Sequence, residues 1–86
     1  MNTLFLLMAR HEGRPMLAAD QVCKDYFSPL TYPVFLRKVS AGEIALPLVR
    51  MEESQKGAKM IHLADLAQYI DERRKSAQKE ARQLQA

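Results

Sequence analysis

The sequence predicts a mainly helical α+β domain, on three observations. Apolar residues recur at helical spacing through most of the chain. Over residues 44–51 (IALPLVRM) they switch to alternation, the period of a strand. Gly13 and Gly42, with Pro15, Pro29 and Pro33, cut the first half into pieces that fit only short helices. The 86 residues have room for one core, and 48% apolar with 27% charged is the range of soluble folded chains.

Residues 3–12 (TLFLLMARHE) hold strong helix formers. Asn2 or Thr3 is placed to cap their start and Gly13 to supply a left-handed stop. Leu4, Leu7 and Met8 form one stripe with Phe5 beside it. A short apolar run also fits a buried strand, but the residue types favour helix. After Arg14-Pro15, Met16 and Leu17 form a short extended piece. Residues 18–27 (AADQVCKDYF) read as a helix with Val22, Cys23, Tyr26 and Phe27 on one face and Asp20 at the dipole-favoured start. Ser28-Pro29-Leu30 turns the chain. Thr31 or Tyr32 caps the next helix, and Pro33 sits in its first turn, where a missing N–H costs nothing. Phe35, Leu36 and Val39 point inward, Arg37, Lys38 and Ser40 or Ala41 outward, and Gly42 ends it. Residues 44–51 then form a strand, with Pro47 confining it to an edge or a bulged start. A polar stretch, Glu52–Lys59, joins it to Met60-Ile61-His62-Leu63 as a two-stranded hairpin. The last helix packs Leu63, Leu66, Ala67 and Ile70 inward; beyond Ile70 the apolar positions thin to Ala77, Ala81 and Leu84. The five methionines, Met1, Met8, Met16, Met51 and Met60, are spread along the chain and read as core filler.

Charge is distributed unevenly. Residues 1–36 are neutral, 37–59 carry +2, 60–72 carry −3 and 73–86 carry +4. Such basic blocks suit a polyanion. The longest apolar run, Leu4–Ala9, cannot span a bilayer and lacks the flanks of a signal segment, so no membrane partner and a cytoplasmic location are expected.

Enzyme chemistry finds little support. His11 and His62 have no partners at metal-ligand spacing, so no metal and no cofactor are expected. The lone Cys23 lies on an apolar helix face and reads as structural. The three glycines form no phosphate-binding loop. Asp65 beside His62 reads as a helix start rather than an acid–base pair.

The order of elements carries more: helix, turn, helix ending at Gly42, hairpin, helix. That is the winged helix-turn-helix plan, excisionase-like, with an N-terminal helix and a C-terminal helical extension. The plan places its second helix in the major groove and its hairpin on the neighbouring backbone. The candidate reading residues are Tyr32, Arg37, Lys38 and Ala41. Arg37 suits bidentate pairing with guanine, and Lys38 suits a phosphate. At the hairpin, Ser54, Gln55, Lys56 and Lys59 supply phosphate donors, Gly57 lets the backbone approach, and Arg50 either joins them or pairs with Glu52 or Glu53. Arg73 and Arg74 open the basic extension. It reads as added phosphate contacts, as a dimer arm using Ile70, Ala77, Ala81 and Leu84, or as a solvated tail. The expected division is a winged helix-turn-helix domain over 1–72 and a basic helical extension over 73–86.

Several blocks then fall together. The segments NTLFLLMARHEGRP, VCKDYFSPLT, FLRKVSAGEIALPLVRMEESQK and HLADLAQYID resemble the pyocin activator protein PrtN family over about residues 2–75. The resemblance implies a bacterial or prophage-encoded transcriptional activator, acting on the promoter DNA of phage-tail-like bacteriocin (pyocin) genes after DNA damage, with no enzyme activity and no cofactor. The leading expectation is therefore a sequence-specific double-stranded-DNA-binding activator, a homodimer or higher homo-oligomer on DNA, with RNA polymerase as a further partner. The alternatives are an excisionase-like architectural protein that bends DNA, and an interaction adaptor acting on a repressor or RNA polymerase.

Overall fold

Pairing between distant pieces of chain organises the fold. A computed structural model describes residues 2–54 and 57–85. The elements run α1 (Thr3–Arg10), β1 (Met16–Ala18), α2 (Ala19–Tyr26), α3 (Tyr32–Ser40), β2 (Val49–Arg50), β3 (Lys59–His62) and α4 (Leu63–Gln85). The mainly helical α+β class expected from the sequence is the one observed.

Each helix start and stop has a local cause. Asn2 caps α1 by accepting the Phe5 N–H at 2.8 Å. The α1 exit uses two positive φ angles, 59° at Glu12 and 74° at Gly13. Thr31 sits at the α3 N-cap with Pro in the first turn, but its side chain makes no capping bond. The α3 exit is a Schellman turn: Glu43 N–H reaches Lys38 O at 2.9 Å, Gly42 N–H reaches Val39 O at 3.1 Å, and Gly42 takes φ 78°. At the start of α4, Ala64 N–H donates to His62 Nδ1 at 3.0 Å. His62 thus satisfies an orphan donor of that helix.

The sheet differs from the expected hairpin in two respects. It has three antiparallel strands in the order β1-β3-β2. The piece at Met16–Ala18 is a true strand, with Leu17 opposite Ile61. The strand expected over 44–51 is only Val49–Arg50, at the sheet edge. Its alternation is real but reports burial rather than pairing. Ile44 and Leu46 are buried while Ala45 and Pro47 are exposed. Leu46 N–H closes onto Ile44 O at 2.9 Å, and Pro47 has no N–H to offer a ladder.

The core gathers one face from every helix. Phe35, Ile61, Leu63, Leu66 and Val22 are its largest fully enclosed side chains. Phe27 packs on Phe35 and on Tyr69, with ring centroids 4.9 and 5.5 Å apart. Cys23 is buried and its Sγ–H donates to Leu30 O. Among the described residues no charged or polar side chain is buried. Methionine does not act as core filler throughout: Met8 and Met51 are exposed, Met16 and Met60 half-buried, and Met1 lies outside the described residues. Phe5 and Leu6, also exposed, leave α1 with an apolar outer face. From Asp71 to Gln85 every residue of α4 is exposed. At about 1.5 Å per residue this stretch is roughly 22 Å long, beside a longest extent of 51 Å for the molecule.

Candidate nucleic-acid interface

The burial pattern of α3 divides its residues cleanly. Phe35 is enclosed, and Tyr32, Leu36 and Val39 pack against the core beside it. The opposite face presents Pro33, Arg37, Ser40 and, at the C-cap, Ala41, all exposed. Arg37 and Ala41 therefore share a surface, as the i, i+4 spacing requires. Arg37 makes no ion pair among the described residues. Lys38 lies at the edge of this face, half-buried, with Nζ 3.7 Å from Glu43 Oε1. That pair is open to solvent and worth little, so a phosphate can replace the carboxylate. Tyr32 is placed differently: its ring stacks on Phe35 at 6.5 Å. Burial first, then the Asp20 carboxylate and Cys23, push its phenol above the ordinary range, so it stays a neutral donor.

A second cluster lies on the hairpin. The β2–β3 register sets Arg50 directly opposite Lys59. Like charges facing each other across strands destabilise a sheet, unless an anion lies between or above them. No carboxylate pairs with either cation among the described residues. Glu52 instead accepts a hydrogen bond from Ser54 Oγ at 2.7 Å. Ser54 is thus engaged within the tip. Gln55 and Lys56 lie outside the described residues. A methyl group added at Gly57 would stand 2.5 Å from Glu52 O, so the tip backbone folds tightly there.

The remaining candidates sit elsewhere. Arg73 borders a cleft of about 390 Å³ against Glu43, Ala45 and Pro47. Arg74 borders one of about 500 Å³ between α4 and the start of α1, where Thr3 donates to Asp71. The structure therefore gathers the candidates into an α3 face, a hairpin pair and an α4 flank. The Arg50–Lys59 juxtaposition is the feature that sequence reading missed, because it depends on register. The only sequence signal for it was a cation at each end of the hairpin.

His11 Nε2 and Tyr26 OH lie 2.7 Å apart. Burial and the neighbouring Asp25 raise the Tyr26 phenol pKa, opposed by Arg10. The described residues contain no cluster of His, Cys, Asp and Glu able to hold a metal ion. No helix among them is long and apolar enough to cross a membrane.

The model of the family described as pyocin activator protein PrtN covers residues 3–77. Curated proteins and solved structures give no match.

Proposed function

The chain belongs to the pyocin activator protein PrtN family, a regulatory and not an enzymatic family, and from that premise we propose that it activates transcription of pyocin genes by binding their promoter DNA as a winged helix-turn-helix protein. The observation that carries this reading is a pair of cationic surfaces on which Arg37, Arg50 and Lys59 make no ion pair among the described residues. Arg37 is exposed on the outward face of α3, and Arg50 faces Lys59 on the hairpin. In this reading α3 enters the major groove, with Arg37 on a guanine edge and Pro33, Ser40 and Ala41 close to the bases. Lys38 exchanges Glu43 for a phosphate. Arg50 and Lys59 grip the adjacent backbone, which removes the repulsion their register creates. The element order, with a strand between α1 and α2 and the edge hairpin after α3, supports the winged plan. RNA polymerase is the downstream partner of such an activator.

The test is duplex affinity over a salt series, on a pyocin promoter and a scrambled duplex. Three phosphate contacts, from Lys38, Arg50 and Lys59, give a log–log slope of about −2.7 per chain. Preference for the promoter at every salt concentration supports the reading. Equal binding to both duplexes points instead to an architectural, DNA-bending role. Binding to neither moves the activity to protein contacts with a repressor or the polymerase.

A further inference from the structure

Helix α4 leaves the body with its buried stripe intact. Leu63, Leu66 and Ala67 are buried and Ile70 is half-buried. Counting by sevens from Leu63 gives Ile70, Ala77 and Leu84, positions that drift by only about 20° per step. Ala81 flanks them. Yet no described residue covers the outer half of this stripe, and Leu84 is 88% exposed. Where α4 departs, a groove of about 190 Å³ opens on the same face, lined by Tyr26, Phe27, Leu66, Tyr69, Ile70 and Arg73. A leucine-sized apolar group fits its chemistry.

We propose that α4 of a second copy of this chain covers the stripe, running antiparallel, with Leu84 of each copy seated in the other's groove. Centring the pair on Ala77 sets Ile70 of one copy level with Leu84 of the other, at both ends. Ala77 meets its own counterpart at the crossing, and so small a residue permits an approach near the close end of the 8–10 Å range. Two-fold symmetry brings like edges of the helices together. On one edge Arg73 then lies beside Glu80 of the second copy, twice over. On the other edge the long Arg74 lies over the small Ala81.

Charge selects this direction. A parallel pair would face Arg73 with Arg73 and Glu80 with Glu80. Within one helix Arg73 and Glu80 are two turns apart, so they do not neutralise each other. Neither makes an ion pair among the described residues, where the two ion pairs are Lys38–Glu43 and Lys75–Glu72. This assigns Arg73 to the second copy rather than to phosphate. The inference does not rest on DNA binding and is tested without DNA.

Sedimentation equilibrium of the full chain, over a micromolar concentration range, measures the pairing. Leu84→Asp is expected to raise the dimer dissociation constant at least about a hundredfold, because two seated leucines are lost. Its circular dichroism should stay that of the parent, since Leu84 is 88% exposed within its own copy. Arg73→Glu and Glu80→Arg should each weaken the dimer about tenfold or more. The double variant Arg73→Glu/Glu80→Arg should restore it. A chain that is monomeric throughout overturns the proposal. So does a dimer indifferent to Leu84→Asp, which would place the contact on another surface such as the exposed Phe5, Leu6 and Met8 of α1. Single variants that weaken without rescue by the double variant overturn the register.

Discussion

Replacing Phe35 by Ala and Arg37 by Ala separates the two faces of α3. Phe35 has no exposed surface, and its ring meets both Phe27 and Tyr32. It is the single fully buried anchor of its helix. Truncation of an enclosed Phe costs about 3–5 kcal/mol. For 86 residues the unfolding entropy near the midpoint is roughly 180 cal/mol/K, so the loss converts to a fall in Tm of about 17–28 °C. A chain of this size has about 4–13 kcal/mol in all, so the variant retains little margin at room temperature. Arg37 is two residues away, exposed and without an ion pair among the described residues. Its truncation should stay within about 0.5 kcal/mol, a shift of about 3 °C. The same variant should lose about tenfold of its preference for the promoter over a scrambled duplex. Thermal unfolding followed by circular dichroism measures the first pair of values and fluorescence anisotropy the last. A Phe35→Ala variant that loses under about 5 °C refutes the packing argument. An Arg37→Ala variant that unfolds as early as Phe35→Ala refutes the assignment of faces.

Three further outcomes follow from the same geometry. Gly42→Ala should cost about 1–2 kcal/mol in urea unfolding, because the residue takes φ 78° and an added methyl meets nothing within 4 Å; the penalty is purely backbone, and Gly42→Asn should cost less. Lys59→Gln should lower the salt slope of DNA binding by about 0.9 without lowering Tm, since it relieves the repulsion with Arg50; an unchanged slope removes Lys59 from the interface. Burial, reinforced by Asp20, raises the Cys23 thiol above its ordinary 9.0, and burial raises the Tyr26 and Tyr32 phenols above 10.0. The unfolded chain therefore ionises first, so stability is full below pH 9 and declines as pH rises beyond it. Urea midpoints that stay flat through this alkaline window would contradict that burial.

The helices were legible because their signals are local. Asn2 and Gly42 mark ends through bonds to neighbours within a few residues, Pro33 marks one through its fixed φ and missing N–H, and the inward faces repeat at helical spacing. The sheet was half legible for the complementary reason. β1 pairs with β3 across more than forty intervening residues, as in Leu17 opposite Ile61, and three residues of apolar sequence do not name so distant a partner. Residues 44–48 show how alternation misleads. Ile44 and Leu46 needed only to reach the core, which a non-paired segment achieves as well as a strand. Glu12 sharing the positive-φ exit with Gly13 carried no sequence signal, because glutamate rarely marks such a position.

The candidate site shows the same division, and it bears on how the molecule is assembled. Arg37 was legible from helix phase alone. The facing of Arg50 and Lys59 was not, because a one-residue change of register would separate them. That register is set by β3, whose Ile61 is enclosed between its neighbours. β3 also passes into α4 without a loop, ending at His62 where α4 begins at Leu63. The His62 ring fastens the junction by accepting the Ala64 N–H. The cationic hairpin and the projecting half of α4 therefore hang from one rigid joint. A two-fold pairing through Ala77 would then fix the distance between two hairpins as well as between two bodies. Loosening the joint, for example by His62→Ala, should leave each contact intact and yet weaken binding to a duplex that engages both copies, because the second contact loses its preset position.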